Sequence, residues 1–178
     1  MRWLWIDRFI EFRSGQFARA VKNVSMAEEQ LRDHFPGYPV MPNSLIVEGM
    51  AQTGGILVGE AQGFKNLVVL AKVSRVEFSD LALPGDQLTY EATLIELRNE
   101  GSAVATKAMV NGRPLATAEI FFGHVDRVAG SPETNSRFEG YRRELLHILN
   151  VPTTGTTSVS STEPAVEPNR PAELGGRP

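Results

Sequence analysis

The chain has 178 residues, enough for one domain with a sizeable core and an extension. Its 18 basic and 21 acidic residues are interspersed to a net charge of -3, so no basic block or stripe points to nucleic acid. The absence of cysteine excludes disulfides, thiolate metal sites and a cysteine nucleophile, and no apolar run approaches the roughly 18–20 residues of a membrane span.

The opening MRWLWIDRFIEFRSG is broken by Asp7, Arg8, Glu11 and Arg13, so it holds no signal-peptide core and a cytoplasmic protein is expected. Residues 8–24, RFIEFRSGQFARAVKNV, alternate in apolar character around Ser14-Gly15 and predict two short strands. Met26 to Arg32 predict one helical turn, with Ser25 as its cap and Glu28 in the capping-box position. Residues 36–42, PGYPVMP, cannot be regular structure, because three prolines fix φ and remove donors.

Asn43 suits the N-cap of a helix running to about Glu60 or Gln62 and closed by Gly63. Its apolar residues fall on every face, which predicts a helix buried nearly all round. The glycines at 49, 54, 55 and 59 are poor helix formers, either overridden by packing or present so that strand backbones can approach; the second is the expectation. Four strand-like runs follow, at 67–78, 87–98, 102–110 and 114–125. Pro84-Gly85-Asp86 turns the chain between the first two, and Asn111-Gly112 is a strong hairpin signal between the last two. One buried helix and a meander of antiparallel strands describe an α+β domain in which a sheet wraps around a helix. Phe138, Tyr141, Leu145, Leu146 and Leu149 then predict an amphipathic helix within 133–149, and the Thr-, Ser-, Pro- and Gly-rich remainder should be disordered. The expected division is a domain over 1–126, a linker and helix over 127–150, and a tail over 151–178.

The stretch HFPGYPVMPNSLIVEGMAQ, residues 34–52, carries the candidate chemistry. Glu48 sits in a helix without a polar face; burial there would favour its protonated form and make it a general acid. Gln52, one turn on, lies within hydrogen-bond reach of Glu48. His34 is held before a stiff Phe-Pro-Gly and titrates near neutrality, as a general base must. Between them the helix start at Asn43-Ser44-Leu45 offers unpaired N–H groups and a positive dipole end. A base, an oxyanion-stabilising dipole and an acid are the three parts that elimination of water from a β-hydroxy thioester requires. A structural carboxyl and a structural histidine are the bland alternatives for the two residues taken singly.

HFPGYPVMP, the helix with Glu48, Ala51 and Gln52, and the later RVEFSDLALPGDQL and AMVNGRPLATAEI together resemble the β-hydroxyacyl-acyl-carrier-protein dehydratases of type II fatty acid synthesis, over roughly residues 2–126. The resemblance implies a hotdog fold, a curved antiparallel sheet around a long central helix. It implies His34 and Glu48 as the catalytic pair, with Asn43, Ser44, Gln52 and Tyr38 toward the substrate. It further implies an acyl carrier protein bearing the substrate as partner, no metal or redox cofactor, and a homodimer or trimer of dimers with each site shared by two chains. The sister group that also isomerises the double bond has Asp where Glu48 stands, which tilts this chain toward dehydration alone. The family has Gly after Met-Pro where this chain has Asn43; Asn tolerates left-handed φ and keeps its N–H, while its side chain narrows the pocket and bears on substrate range.

Weaker candidates remain. Asp33 adjoins His34, but neighbouring side chains diverge. His124 and His147 have no partner at ligand spacing and are expected to be structural. Ser44 lacks a nucleophile-elbow context and suits helix-start hydrogen bonding. Tyr38 belongs either at a pocket mouth or packed between prolines. Arg98, Lys107, Arg113 and Arg127 are scattered charges. A hotdog thioesterase and a non-catalytic acyl-binding partner, its oxyanion position closed by Asn43, are the competing functions.

Overall fold

The computed structural model describes residues 4–126, 139–140, 143–144 and 146–151. Strands β1 (Arg8–Arg13) and β2 (Phe17–Asn23) form the expected hairpin, closed where the Gln16 N–H donates to the Arg13 carbonyl at 3.0 Å. Helices α1 (Gln30–Asp33) and α2 (Asn43–Ala61) follow, then β3 (Leu67–Phe78), β4 (Gln87–Leu97), β5 (Gly101–Val110) and β6 (Arg113–Val125). The six strands make one antiparallel sheet in the order β1-β2-β4-β5-β6-β3. With α2 on one face of this curved sheet, the α+β hotdog architecture is as expected, and the strand boundaries differ from the expected ones by a residue at most.

The core follows from two periodicities. In β4 every second residue, Leu88, Tyr90 and Ala92, is fully buried, as the pleat demands of a strand with one covered face. On α2, Ile46, Met50, Leu57 and Val58 are equally inaccessible and join the same core as Val104 of β5 and Ile120 of β6. The β5–β6 connection has Asn111 at φ 47 and Gly112 at φ 79, the two left-handed residues a tight hairpin turn requires.

The two sheet edges are treated differently. At β1, the Phe9 N–H donates to the Leu149 carbonyl at 2.7 Å, so a C-terminal segment satisfies an edge donor that would otherwise stand open. The described positions from Glu139 to Ile148 are helical, as expected, and Leu146 and Leu149 are buried in the main core. Phe138, Tyr141 and Leu145, and residues 152–178, lie outside the described residues. Val151, set in the tail by the expected division, is buried in the same core. At the other edge, β3 leaves Leu67, Val69, Leu70 and Val76 exposed.

Three local expectations are corrected. Met26 to Glu29 is a turn rather than a helix: Ser25 Oγ accepts the Ala27 N–H at 3.2 Å, and Glu28 pairs with buried Lys22 instead of closing a capping box. Pro42, not Asn43, occupies the N-cap of α2; its ring fixes φ, -57° here, its ψ of 130° is non-helical as a cap requires, and its carbonyl accepts the N–H groups of Leu45 and Ile46. Asn43 is thus the first helical residue and needs no left-handed φ. The α2 glycines, finally, make room for side chains, not for strand backbones. A Cβ on Gly49 would fall 2.5 Å from Tyr90 Cζ, one on Gly54 would meet Val104 at 3.3 Å, and one on Gly59 would meet the Phe64 ring at 2.9 Å.

The seat of Tyr90 on Gly49 is therefore the tightest helix–sheet approach among these glycines. Among the described residues the buried Tyr90 hydroxyl has no hydrogen-bond partner, and desolvation, reinforced by the Asp7 and Glu28 carboxylates, pushes the phenol well above its ordinary range. Gly49→Ala should cost about 1–3 kcal/mol in thermal or denaturant unfolding, through overpacking against a ring that has nowhere to go. Tyr90→Phe should be neutral or stabilising, because it removes a buried hydroxyl that makes no bond. The raised phenol resists ionisation only in the folded state, so its stability contribution is complete below roughly pH 10 and declines above it. Tyr90→Phe should lessen that alkaline loss; an unchanged alkaline loss, or full stability in Gly49→Ala, would contradict this packing.

Candidate active site

His34 lies just past α1, at its C-cap. Buried Leu31 behind it and buried Val40 and Met41 beyond it anchor both ends of the 34–41 loop in the core. Within the loop the Val40 N–H donates to the His34 carbonyl at 2.8 Å, and Phe35 and Tyr38 exchange reciprocal backbone bonds at 3.0 and 2.9 Å. The Met41 N–H ties the end of the loop to the Ala82 carbonyl at 2.8 Å. The imidazole stacks on the Phe35 ring, with centroids 4.2 Å apart. Its Nδ1 lies 2.9 Å from the Val40 carbonyl oxygen. A carbonyl only accepts, so Nδ1 carries the proton and the neutral ring keeps its lone pair on Nε2.

Glu48 is half-buried, less enclosed than expected, on the wall of a cavity of about 430 Å³. The rest of that wall is mainly apolar, with Ala51, Gly55 and Ile56 from α2, Leu67 and Val68 from β3, and Phe122 from β6. Gln52 stands beside Glu48 on this wall, and its Nε2 donates to Glu48 Oε1 at 3.0 Å, the pairing expected from their one-turn spacing. The other end of the amide is engaged too: Oε1 accepts the backbone N–H of Trp5 at 2.9 Å.

Asn43 and Ser44 occupy the exposed first turn of α2. With Leu45 and Ile46 bonded back to Pro42, the N–H groups of Asn43 and Ser44 are those a helix start presents outward. Tyr38 is 57% exposed rather than packed between prolines. One chain therefore groups Glu48 with Gln52 on the cavity, and places His34, Tyr38, Asn43 and Ser44 elsewhere. None of these four lines the cavity, and among the described residues no hydrogen bond joins His34 to Glu48.

The weaker candidates sort out plainly. His124 is half-buried, with its ring nitrogens 3.2 Å from the Asn99 carbonyl and 3.2 Å from Ser102 Oγ, a structural setting. His147 and Asp33 are exposed, Arg98 pairs with Glu96, Arg113 pairs with Asp80, and Arg127 lies outside the described residues. Two contacts escaped the sequence reading, the Val40 carbonyl on His34 and the Trp5 N–H on Gln52. Both use backbone atoms, for which residue type gives no signal.

A family model described as a FabA-like domain matches residues 2–119. The 3-hydroxyacyl-(acyl-carrier-protein) dehydratase FabZ of Lawsonia intracellularis is 40% identical over 121 residues, spanning 65% of this chain and 78% of that protein. The protein of the same name from Listeria welshimeri is 40% identical over 124 residues, spanning 69% and 86%. Among solved structures, the dehydratase heterocomplex ApeI:P of Xenorhabdus doucetiae aligns with a TM-score of 0.58 at 16% identity, over 70% of this chain and 85% of that one. A hypothetical thioesterase with coenzyme A from Streptococcus pneumoniae aligns at 0.55 and 11% identity, over 68% and 88%. At such identities these structures speak for the hotdog fold alone, which houses more than one chemistry.

The tethered imidazole gives a direct test. Nitrogen-15 shifts of the neutral His34 ring should report the Nδ1–H tautomer, with Nε2 unprotonated. A dominant Nε2–H tautomer would contradict the Val40 contact.

Proposed function

The chain belongs to the FabA-like family of 3-hydroxyacyl-acyl-carrier-protein dehydratases, hydro-lyases of fatty acid biosynthesis, and on that premise we propose how its residues carry the reaction. The substrate is a (3R)-hydroxyacyl chain thioester-linked to acyl carrier protein, and the product is the trans-2-enoyl thioester plus water. His34 Nε2 takes the proton from C2, and charge develops on the thioester oxygen. The N–H groups at the start of α2 and the positive end of its dipole stabilise that oxygen. The C3–O bond breaks as Glu48 gives its proton to the departing hydroxyl, which leaves as water. The electron pair of the broken C2–H bond becomes the C2–C3 double bond, so nothing is oxidised or reduced. Return of the proton from His34 to Glu48, directly or through solvent, resets the site. The acyl chain lies along the apolar wall of the cavity beside Glu48, and Asn43 and Tyr38 reach its entrance from the second chain, the one that supplies His34.

The observation that carries this reading is the His34–Val40 contact, which leaves Nε2 as the basic nitrogen in a loop held at both ends. Separation of His34 from the Glu48 cavity within one chain supports a site made by two chains. The open β3 edge is the natural place for a second copy to pair, because its exposed apolar residues and unpaired backbone groups are a liability if left to water. Arg75, at φ 48 within a register shift of β3, would limit how far such pairing runs. Dimers joined in this way could assemble further into a trimer of dimers, and the expected setting is the cytoplasm.

His34→Ala and Glu48→Gln should each lower turnover of a carrier-bound 3-hydroxyacyl chain by roughly 10²–10⁴-fold, the range for losing one general acid or base. Enoyl formation followed by the ultraviolet absorbance of the conjugated thioester, with melting measured in parallel, reads this out. Near-native turnover in a folded variant would remove that residue from its role. Release of free thiol without enoyl product would replace dehydration by thioester hydrolysis.

A further inference from the structure

We propose that the backbone N–H of Trp5 is a positioning group for the Glu48 carboxyl, acting through the Gln52 amide; this rests on the reading of Glu48 as the acid. A backbone N–H can only donate, so the end of the Gln52 amide that faces Trp5 must be its oxygen. The nitrogen end is then committed to Glu48, where Nε2 meets Oε1 at 3.0 Å. Without the Trp5 donor, a flipped amide would turn its oxygen on the carboxyl. With it, Oε1 of Glu48 is an acceptor, and the transferable proton is assigned to Oε2. The choice of which carboxyl oxygen gives up its proton thus originates in a backbone group 43 residues away in sequence, since Trp5 and Glu48 are numbered 5 and 48.

The donor is itself held in place. Ile6, next in the chain, is 2% exposed in the core, and the Asp7 N–H donates to the Val21 carbonyl of β2 at 2.7 Å. Leu4, on the other side, lies on the wall of the same cavity as Glu48 and Gln52. The segment ahead of β1 is therefore a wall and a brace of the site rather than a loose leader into the first strand.

Three measurements on the full chain test this. First, amide hydrogen exchange at Trp5 should be slow in the native protein and at least about tenfold faster in Gln52→Leu, with Ile6 and Asp7 unaffected. Equal exchange at Trp5 in the two proteins would overturn the contact without requiring any change at position 5. Second, Trp5→Pro, which removes the backbone donor together with the indole, should lower kcat by about 10–100-fold, the cost of misplacing a catalytic group, with KM little changed. Trp5→Ala keeps the N–H and should retain more of kcat than Trp5→Pro; an equal loss in both would assign the effect to the indole and sink the proposal. Third, Gln52→Leu and Trp5→Pro combined should lose no more kcat than the worse single variant, because both break one relay. Additive losses would mean two independent effects. Glu48→Gln separates the layers: if it keeps turnover, the acid assignment fails; if it is inactive while folded Trp5→Pro keeps native kcat, only the positioning proposal fails.

Discussion

Helix α2 has no polar face, and water must be kept from nearly all of it. The sheet of one chain does this for Ile46, Met50, Leu57 and Val58, which are fully buried, but leaves Leu45, Val47, Glu48, Gln52 and Ile56 only half covered. That imbalance organises the molecule. The inner face of α2 must approach β4 closely enough to bury Tyr90 against Gly49, where any side chain would collide. The outer face, half covered, is where the cavity forms and where Glu48 and Gln52 stand. The same helix serves as core element, cavity wall and carrier of Glu48, so its depth in the sheet sets the position of all three.

The two sheet edges are covered unequally as well. At β1 the C-terminal segment supplies a carbonyl to Phe9 and buries Leu146, Leu149 and Val151, so that edge is partly covered by the same chain. At β3 nothing among the described residues does the same, and apolar side chains stand exposed along it. On the proposed function, a second copy covers the open β3 edge and the half-covered face of the helix. In the reading proposed here, the same pairing that covers β3 brings the tethered histidine of one protomer to the acid of the other. Assembly and catalysis then share one requirement.

Much of this was legible in the sequence because it depends on side-chain period. The two-residue alternation marked the first two strands, strand-like runs marked the four later ones, Asn111-Gly112 marked its hairpin, and the spacing of Glu48 and Gln52 gave their hydrogen bond. What misled was competition for the same group. Glu28 reads as a capping residue until Lys22 is found buried beside it, and Asn43 reads as a cap until Pro42 takes that place. The glycines of α2 signalled close approach correctly but not its object, since sequence cannot say that a tyrosine ring rather than a strand backbone fills the space. The braces of the site, the Val40 carbonyl and the Trp5 N–H, are backbone atoms whose identity is the same at every position. Only the fold reveals them.

On the proposed function, His34 of one chain acts with Glu48 of the other, and complementation tests this directly. His34→Ala and Glu48→Gln proteins, each inactive, can be unfolded together and refolded so that subunits mix. A mixed dimer then holds one site with both residues intact and one with neither. Random pairing makes about half of the dimers mixed, so about a quarter of the wild-type activity should return. If subunit exchange is verified and the mixture stays as inactive as its parents, the two residues act within one chain and the shared site is wrong.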